Sequence, residues 1–204
     1  MLQASRIAAL TTLALLLVAA CASGPRPEPA GVVETGKLRV TIDDSWYRVP
    51  GKETPEKDAL TRVLTREGAD KDRLYMIAGI DAGETLFKAE YSAGVVAFDP
   101  SMSPEDIAGF VASSLEAALW GGSANIEAVN IEEHGYTGIP GVQFELEVSG
   151  PANHRGVAGA FAVDERLHTV IFIAESPDSF ERHEDIARQS IDSALYSIKT
   201  IRRN

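Results

Sequence analysis

The chain has 204 residues, 45% of them apolar, with 30 acidic against 19 basic side chains and a formal net charge of −11. So acidic a surface is poorly suited to gripping nucleic acid or anionic lipid by charge. The single cysteine excludes an internal disulfide and any multi-cysteine metal site, so the fold must stand on its apolar core.

The first element is a leader. A short head carrying Arg6 precedes a nearly unbroken apolar run, Ile7 to Ala20, and the sole cysteine follows at Cys21. The run is shorter than the roughly 20 residues a helix needs to span a bilayer. It has the layout of a secretory signal ending in small residues. Val18-Ala19-Ala20-Cys21 resembles the lipobox of bacterial lipoproteins. That resemblance implies removal of residues 1–20, acylation of Cys21, and a lipid bilayer as the first partner. Ala22, rather than an aspartate, follows Cys21, which in such proteins implies sorting to the outer membrane, facing the periplasm. Losing Arg6 leaves 18 basic and 30 acidic side chains, a net charge of −12.

Residues 21–36 carry prolines at 25, 27 and 29 and glycines at 24, 31 and 36, which predicts a flexible tether with nothing to bury. Residues 37–204 then have the length of one domain, with no internal repeat.

Within that domain, Leu38, Val40 and Ile42 alternate as a first strand. Leu60 to Arg66 is a weaker strand, and Thr54-Pro55-Glu56 could open a short helix. Arg73 to Ile80 is apolar on both faces and is expected near the centre of a sheet. Leu86 to Glu90 and Val95 to Phe98 are weak strand candidates. Met102-Ser103-Pro104-Glu105-Asp106-Ile107 signals a helix: Ser103 caps, Pro104 takes the first position, Asp106 completes a capping box, and Met102 and Ile107 form a hydrophobic staple. Phe110, Val111, Leu115, Ala118 and Leu119 continue its apolar stripe, and Gly121-Gly122 ends it.

Ile126 to Ile131 is a weak strand. Val142, Phe144, Leu146 and Val148 alternate with Gln143, Glu145 and Glu147, a half-buried strand. Val157 to Val163 and Leu167 to Ala174 read as a hairpin turning at Glu165-Arg166, the second strand central. Ser176-Pro177-Asp178 opens a second helix whose stripe runs Phe180, Ala187, Ile191, Ala194, Leu195 and Ile198. Short links between successive strands require antiparallel pairing, so the expected class is α+β: an antiparallel sheet covered by two long helices.

Several motifs sit in that order: Asp44-Ser45-Trp46-Tyr47 after strand one, Phe98 to Asp106 leading into the first helix, Gly138-Ile139-Pro140-Gly141-Val142 opening a strand, and Ala174-Glu175-Ser176-Pro177 entering the last helix. With the 157–174 hairpin they resemble the Mog1/PsbP-like α/β/α group over most of 37–200. The resemblance implies that fold and a theme of non-catalytic binding.

No chemistry stands out. His134, His154, His168 and His183 lack metal-ligand spacing. No serine has a nucleophile-elbow setting, although His183 and Asp185 could meet a distant serine. Asp43-Asp44 and Glu132-Glu133 are adjacent pairs, which on a strand point to opposite faces. No metal or cofactor is expected. Trp46 and Tyr47, between two aspartates and Arg48, are the candidate partner contacts, with a Trp46 plugging the core as the other reading. Trp120 is expected to pack.

The expectation is a non-enzymatic, membrane-anchored lipoprotein that binds or scaffolds an envelope protein and no nucleic acid. A small-molecule carrier or sensor is the alternative, with a hydrolase of scattered residues third.

Overall fold

The computed structural model describes residues 25–43, 45–49, 61–66 and 69–197. The strands are β1 (Arg26–Pro27), β2 (Gly31–Thr35), β3 (Leu38–Ile42), β4 (Trp46–Arg48), β5 (Thr61–Arg66), β6 (Ala69–Ile80), β7 (Asn125–Tyr136), β8 (Ile139–Ser149), β9 (His154–Val163), β10 (Arg166–Ala174) and β11 (Leu195–Tyr196). The helices are α1 (Pro104–Leu115) and α2 (Pro177–Asp192). Eight strands form one sheet in the order β1-β4-β5-β6-β10-β9-β8-β7, and β11-β3-β2 form a small second sheet. Every pairing is antiparallel.

Each face of the large sheet carries its own core. On one, Phe110, Val111 and Leu115 of α1 pack on Phe144, Leu146 and Ile171. On the other, Phe180, Ala187 and Ile191 of α2 join Leu38, Val40 and Ile42 of the small sheet over Leu74, Met76 and Phe172. Strands β6 and β10 contribute alternate residues to both cores, which is why they read as continuously apolar and lie in the middle of the order.

The local signals of α1 are realised. Ser103 accepts from the Asp106 amide, Asp106 accepts from the Ser103 amide, and Pro104 takes the first turn. Met102 and Ile107 both pack on the α1-side core. The helix runs into a wide turn, Glu116–Trp120, and stops at Gly121 with φ +56°.

Four expectations need correction. The segment expected as a tether contains β1 and β2, and Val33 is buried, because β2 pairs with β3 along its whole length. The second helix ends at Asp192 rather than continuing through Ile198. The Ser193 hydroxyl donates to the Ser190 carbonyl and accepts from the Thr41 amide, passing the chain to β11 beside β3. Residues 86–90 and 95–98 form no strand; Leu86, Phe87 and Phe98 are instead buried plugs on the α1 side. The β9–β10 turn is centred on Asp164 and Glu165, with φ +52° and +60°, one residue earlier than expected. Thr54-Pro55-Glu56 lies outside the described residues.

Candidate functional site

Of the candidate contacts, Cys21 lies outside the described residues, and so does Asp44. Trp46 is fully buried. Its ring meets Phe172 edge-on at 6.2 Å between centroids, under the Arg66 guanidinium at 5.2 Å. An indole sealed in the α2-side core has no face left for a partner, which corrects its surface role. Tyr47 is half-buried on β4, so part of its side chain stays open to solvent.

The histidines scatter. His154 faces the Ala174 carbonyl at 3.2 Å and packs on Trp120. His134 approaches Asp192 at 3.7 Å and lies against Tyr136. His168 is buried between Phe161 and Tyr196, with no hydrogen-bond partner for either ring nitrogen among the described residues. Burial, reinforced by Arg166 and Lys37, pushes its pKa down to about 4, so it is neutral at pH 7.

His183 finds a serine and an aspartate, though the acid is Asp72 of β6 and not Asp185. Asp72, wholly buried, accepts from the Glu175 amide at 2.8 Å and from the Ser179 hydroxyl at 2.8 Å, and it contacts His183 Nδ1 at 2.8 Å. This is not a nucleophile wired to a base. The Ser179 hydroxyl is spent on the carboxylate, and Ser179 itself is buried. Both side chains sit on the first turns of α2 and fasten it to β6. No sequence signal marked Asp72, because the partners lie more than a hundred positions away.

Of the acid pairs, only Asp43, Glu132 and Glu133 lie among the described residues. Asp43 is engaged locally by Ser45 and approaches Arg66 at 3.8 Å. Glu132 and Glu133 are exposed on β7. Among the described residues no group of three or more histidines, cysteines, aspartates or glutamates could hold a metal ion. None of the described helices is long and apolar enough to cross a membrane.

Gly159 and Gly141 allow close packing on the α2 side of the sheet, and Gly156 on the α1 side. A Cβ on Gly159 would stand 2.0 Å from the Tyr136 hydroxyl, one on Gly141 would stand 2.4 Å from the Ala160 carbonyl, and one on Gly156 would stand 2.4 Å from the Phe172 carbonyl. Burial raises the Tyr136 phenol well above its ordinary range, and its hydroxyl donates to the Val142 carbonyl at 3.3 Å.

The best candidate site is a cleft of about 610 Å³ between the start of α1 and the β7–β8 hairpin. Pro100, Met102, Pro104 and Ile107 form one wall; Glu133, Gly135, Pro140 and Val142 form the other. The lining is largely apolar, with Glu133 as its carboxylate. The capping box that starts α1 fixes the first wall, and the Thr137-Gly138 turn, with both residues at positive φ, fixes the second. Sequence reasoning identified the elements but not their meeting, since Met102 was assigned only to the staple.

The sequence matches no protein-family model and no curated protein. Among solved structures, PsbP (CyanoP) of the cyanobacterium Synechocystis aligns with a TM-score of 0.58 at 15% identity, over 83% of this chain and 94% of that one. A protein of unknown function from Pseudomonas aeruginosa aligns with a TM-score of 0.41 at 12% identity, over 85% of this chain and all (100%) of that one. LpqN of Mycobacterium tuberculosis, involved in cell envelope biogenesis, aligns at 0.45 and 10% identity, over 83% and 86%. The likeness to PsbP is one of fold: this chain is an α+β protein with the α/β/α sandwich architecture of the Mog1/PsbP-like group.

Proposed function

We propose that this chain is a cell-envelope lipoprotein that binds another envelope protein and carries out no catalysis. In this reading residues 1–20 are removed, Cys21 is acylated, and the domain faces the periplasm from the outer membrane. More than one acyl chain anchors stably where a single chain does not. Confinement to a surface raises the effective concentration of the domain near its partner.

The observation that carries the binding reading is the largely apolar cleft between α1 and the β7–β8 hairpin, bordered by exposed Pro100, Glu133 and Pro140. The buried wiring of Ser179, His183 and Asp72 supports the non-catalytic part. The test is crosslinking in native envelopes with mass spectrometry, comparing wild type with Cys21→Ala. The expected result is a partner captured only by the membrane-bound wild type. A Cys21→Ala protein that remains in the membrane fraction would refute the anchor, and no reproducible partner would refute the binding role.

A small-molecule carrier is the second reading, favoured by a cleft volume within the roughly 300–1,000 Å³ of ligand pockets. Ligand-dependent shifts in melting temperature on the soluble domain would support it.

A further inference from the structure

The large sheet ends on a long strand with an open edge. β7 is its terminal strand, 12 residues long, and among the described residues it pairs only with β8. Its backbone groups can be assigned by direction. The Ile126 amide points away from β8, because it donates to the Glu116 carboxylate of the wide turn at 3.3 Å. That carboxylate covers the first part of the edge. Antiparallel strands direct alternate residues toward and away from the neighbour, so Glu127 and Val129 face Glu147 and Glu145. A bulge follows: Asn130 and Ile131 together stand against the single residue Phe144 of β8, Asn130 with φ +51°. Pairing resumes at Glu132↔Gln143 and continues through His134↔Gly141 to Tyr136↔Ile139. Gln143 and Gly141 share the strand direction of Glu145 and Glu147, so Glu132, His134 and Tyr136 take the inward bonds. The amides and carbonyls of Glu133 and Gly135 are left pointing outward.

Glu133 and Gly135 also line the cleft, and both are exposed. A Cβ on Gly135 would meet nothing within 4 Å. Free backbone groups therefore lie beside an apolar slot walled by Met102 and Ile107.

We propose that the β7 edge from Ile131 to Gly135 accepts an extended basic segment of another protein as an added strand. This deepens the binding reading above and rests on it. The backbone of the segment pairs with Glu133 and Gly135, one apolar side chain enters the cleft on the face that carries Glu133, and the lysines or arginines flanking it, on the other face, meet Glu132. Strand addition takes affinity from the main chain and specificity from side-chain pockets. Charge selects the occupant. A second copy of this chain would bring Glu132 and Glu133 against their own counterparts, and like charges across a strand pair are destabilising.

The probe is a synthetic peptide, Lys-Leu-Lys-Val-Lys-Leu-Lys, titrated into the full mature protein in detergent micelles and followed by amide NMR and hydrogen exchange. Controls are the same peptide with alternate N-methyl groups, a glutamate-for-lysine peptide, and the Glu132→Lys/Glu133→Lys double variant, whose exposed sites leave the core untouched. The expected result is saturable binding with slowed exchange at the Glu133 and Gly135 amides, lost with N-methylation and weakened roughly tenfold or more by the double variant. Equal binding to the double variant, unprotected Glu133 and Gly135 amides, or no binding would overturn the edge site. Native-envelope crosslinking separates the two readings. A partner still captured by the double variant sinks the edge and spares the binding role, whereas capture by neither protein sinks both.

Discussion

His168 lies nearly parallel to Phe161, ring centroids 5.3 Å apart at 20°, with Tyr196 edge-on to its other side at 5.3 Å. A neutral imidazole suits that slot and a cation does not. The folded-state pKa is depressed to about 4, while the unfolded chain binds its proton near the ordinary histidine value of 6.5. Between those values the unfolded state holds more protons, so stability falls as pH drops from about 6.5 toward 4, by about 3 kcal/mol across the window. The charged groups that face the ring are Arg166, Lys37 and Asp164. Urea midpoints measured at pH 7.5 and 4.5 should differ more for wild type than for His168→Phe. Identical pH dependence in the two proteins would refute the assignment. At pH 7.5 the variant should match or exceed wild type, because His168 leaves two buried nitrogens without partners among the described residues.

Gly159→Ala drives a methyl into the Tyr136 hydroxyl and to within 2.5 Å of Ile191 Cγ2. A cost of about 1–3 kcal/mol is expected in denaturant unfolding. Adding Tyr136→Phe should recover part of it, since the first clash is with the phenol oxygen. A strictly additive double mutant would show that the two sites do not couple.

Asp72→Ala should be among the most damaging single changes. It leaves the buried Ser179 hydroxyl and the Glu175 amide without their acceptor and unpins α2 from β6. The expected loss is about 3 kcal/mol or more, with faster hydrogen exchange in the first turns of α2. Ser179→Ala should cost only about 1 kcal/mol. A fluorophosphonate probe should leave Ser179 unlabelled; labelling there would expose a nucleophile and overturn the non-catalytic reading.

Trp46→Ala should cost about 3–5 kcal/mol, the usual cost of emptying a core aromatic site. Tyr47→Ala, on a half-buried side chain, should cost far less. The contrast is measured by thermal melts. Equal effects would mean that Trp46 is not a core residue.

Signals confined to a few adjacent residues were legible in the sequence. Ser103, Pro104 and Asp106 announced α1, and the alternation from Val142 to Val148 announced β8 with its buried face. The two-sided apolar character of β6 and β10 placed them centrally. What depended on distant partners was not legible. Arg26–Thr35 reads as linker because prolines and glycines dominate it, yet β1 pairs with β4 and β2 with β3. Leu195 continues the helical period of α2, but Ser193 diverts the chain to β3. The cleft joins residues about thirty positions apart, and the Asp72 anchor joins partners more than a hundred apart.

The early start of β1 sets how close an anchored domain must ride. A linker reaching from Cys21 to Lys37 would extend about 55 Å, whereas the chain from Cys21 to Arg26 reaches at most about 17 Å. An acylated Cys21 would therefore hold the β1 side of the sheet against the lipid surface on a short leash. Strands spaced at about 4.8 Å place β7, seven neighbours along, roughly 34 Å across the sheet. One margin of the sheet would serve as the moored side, and the opposite margin, with its open edge and cleft, would reach toward whatever passes through the surrounding space.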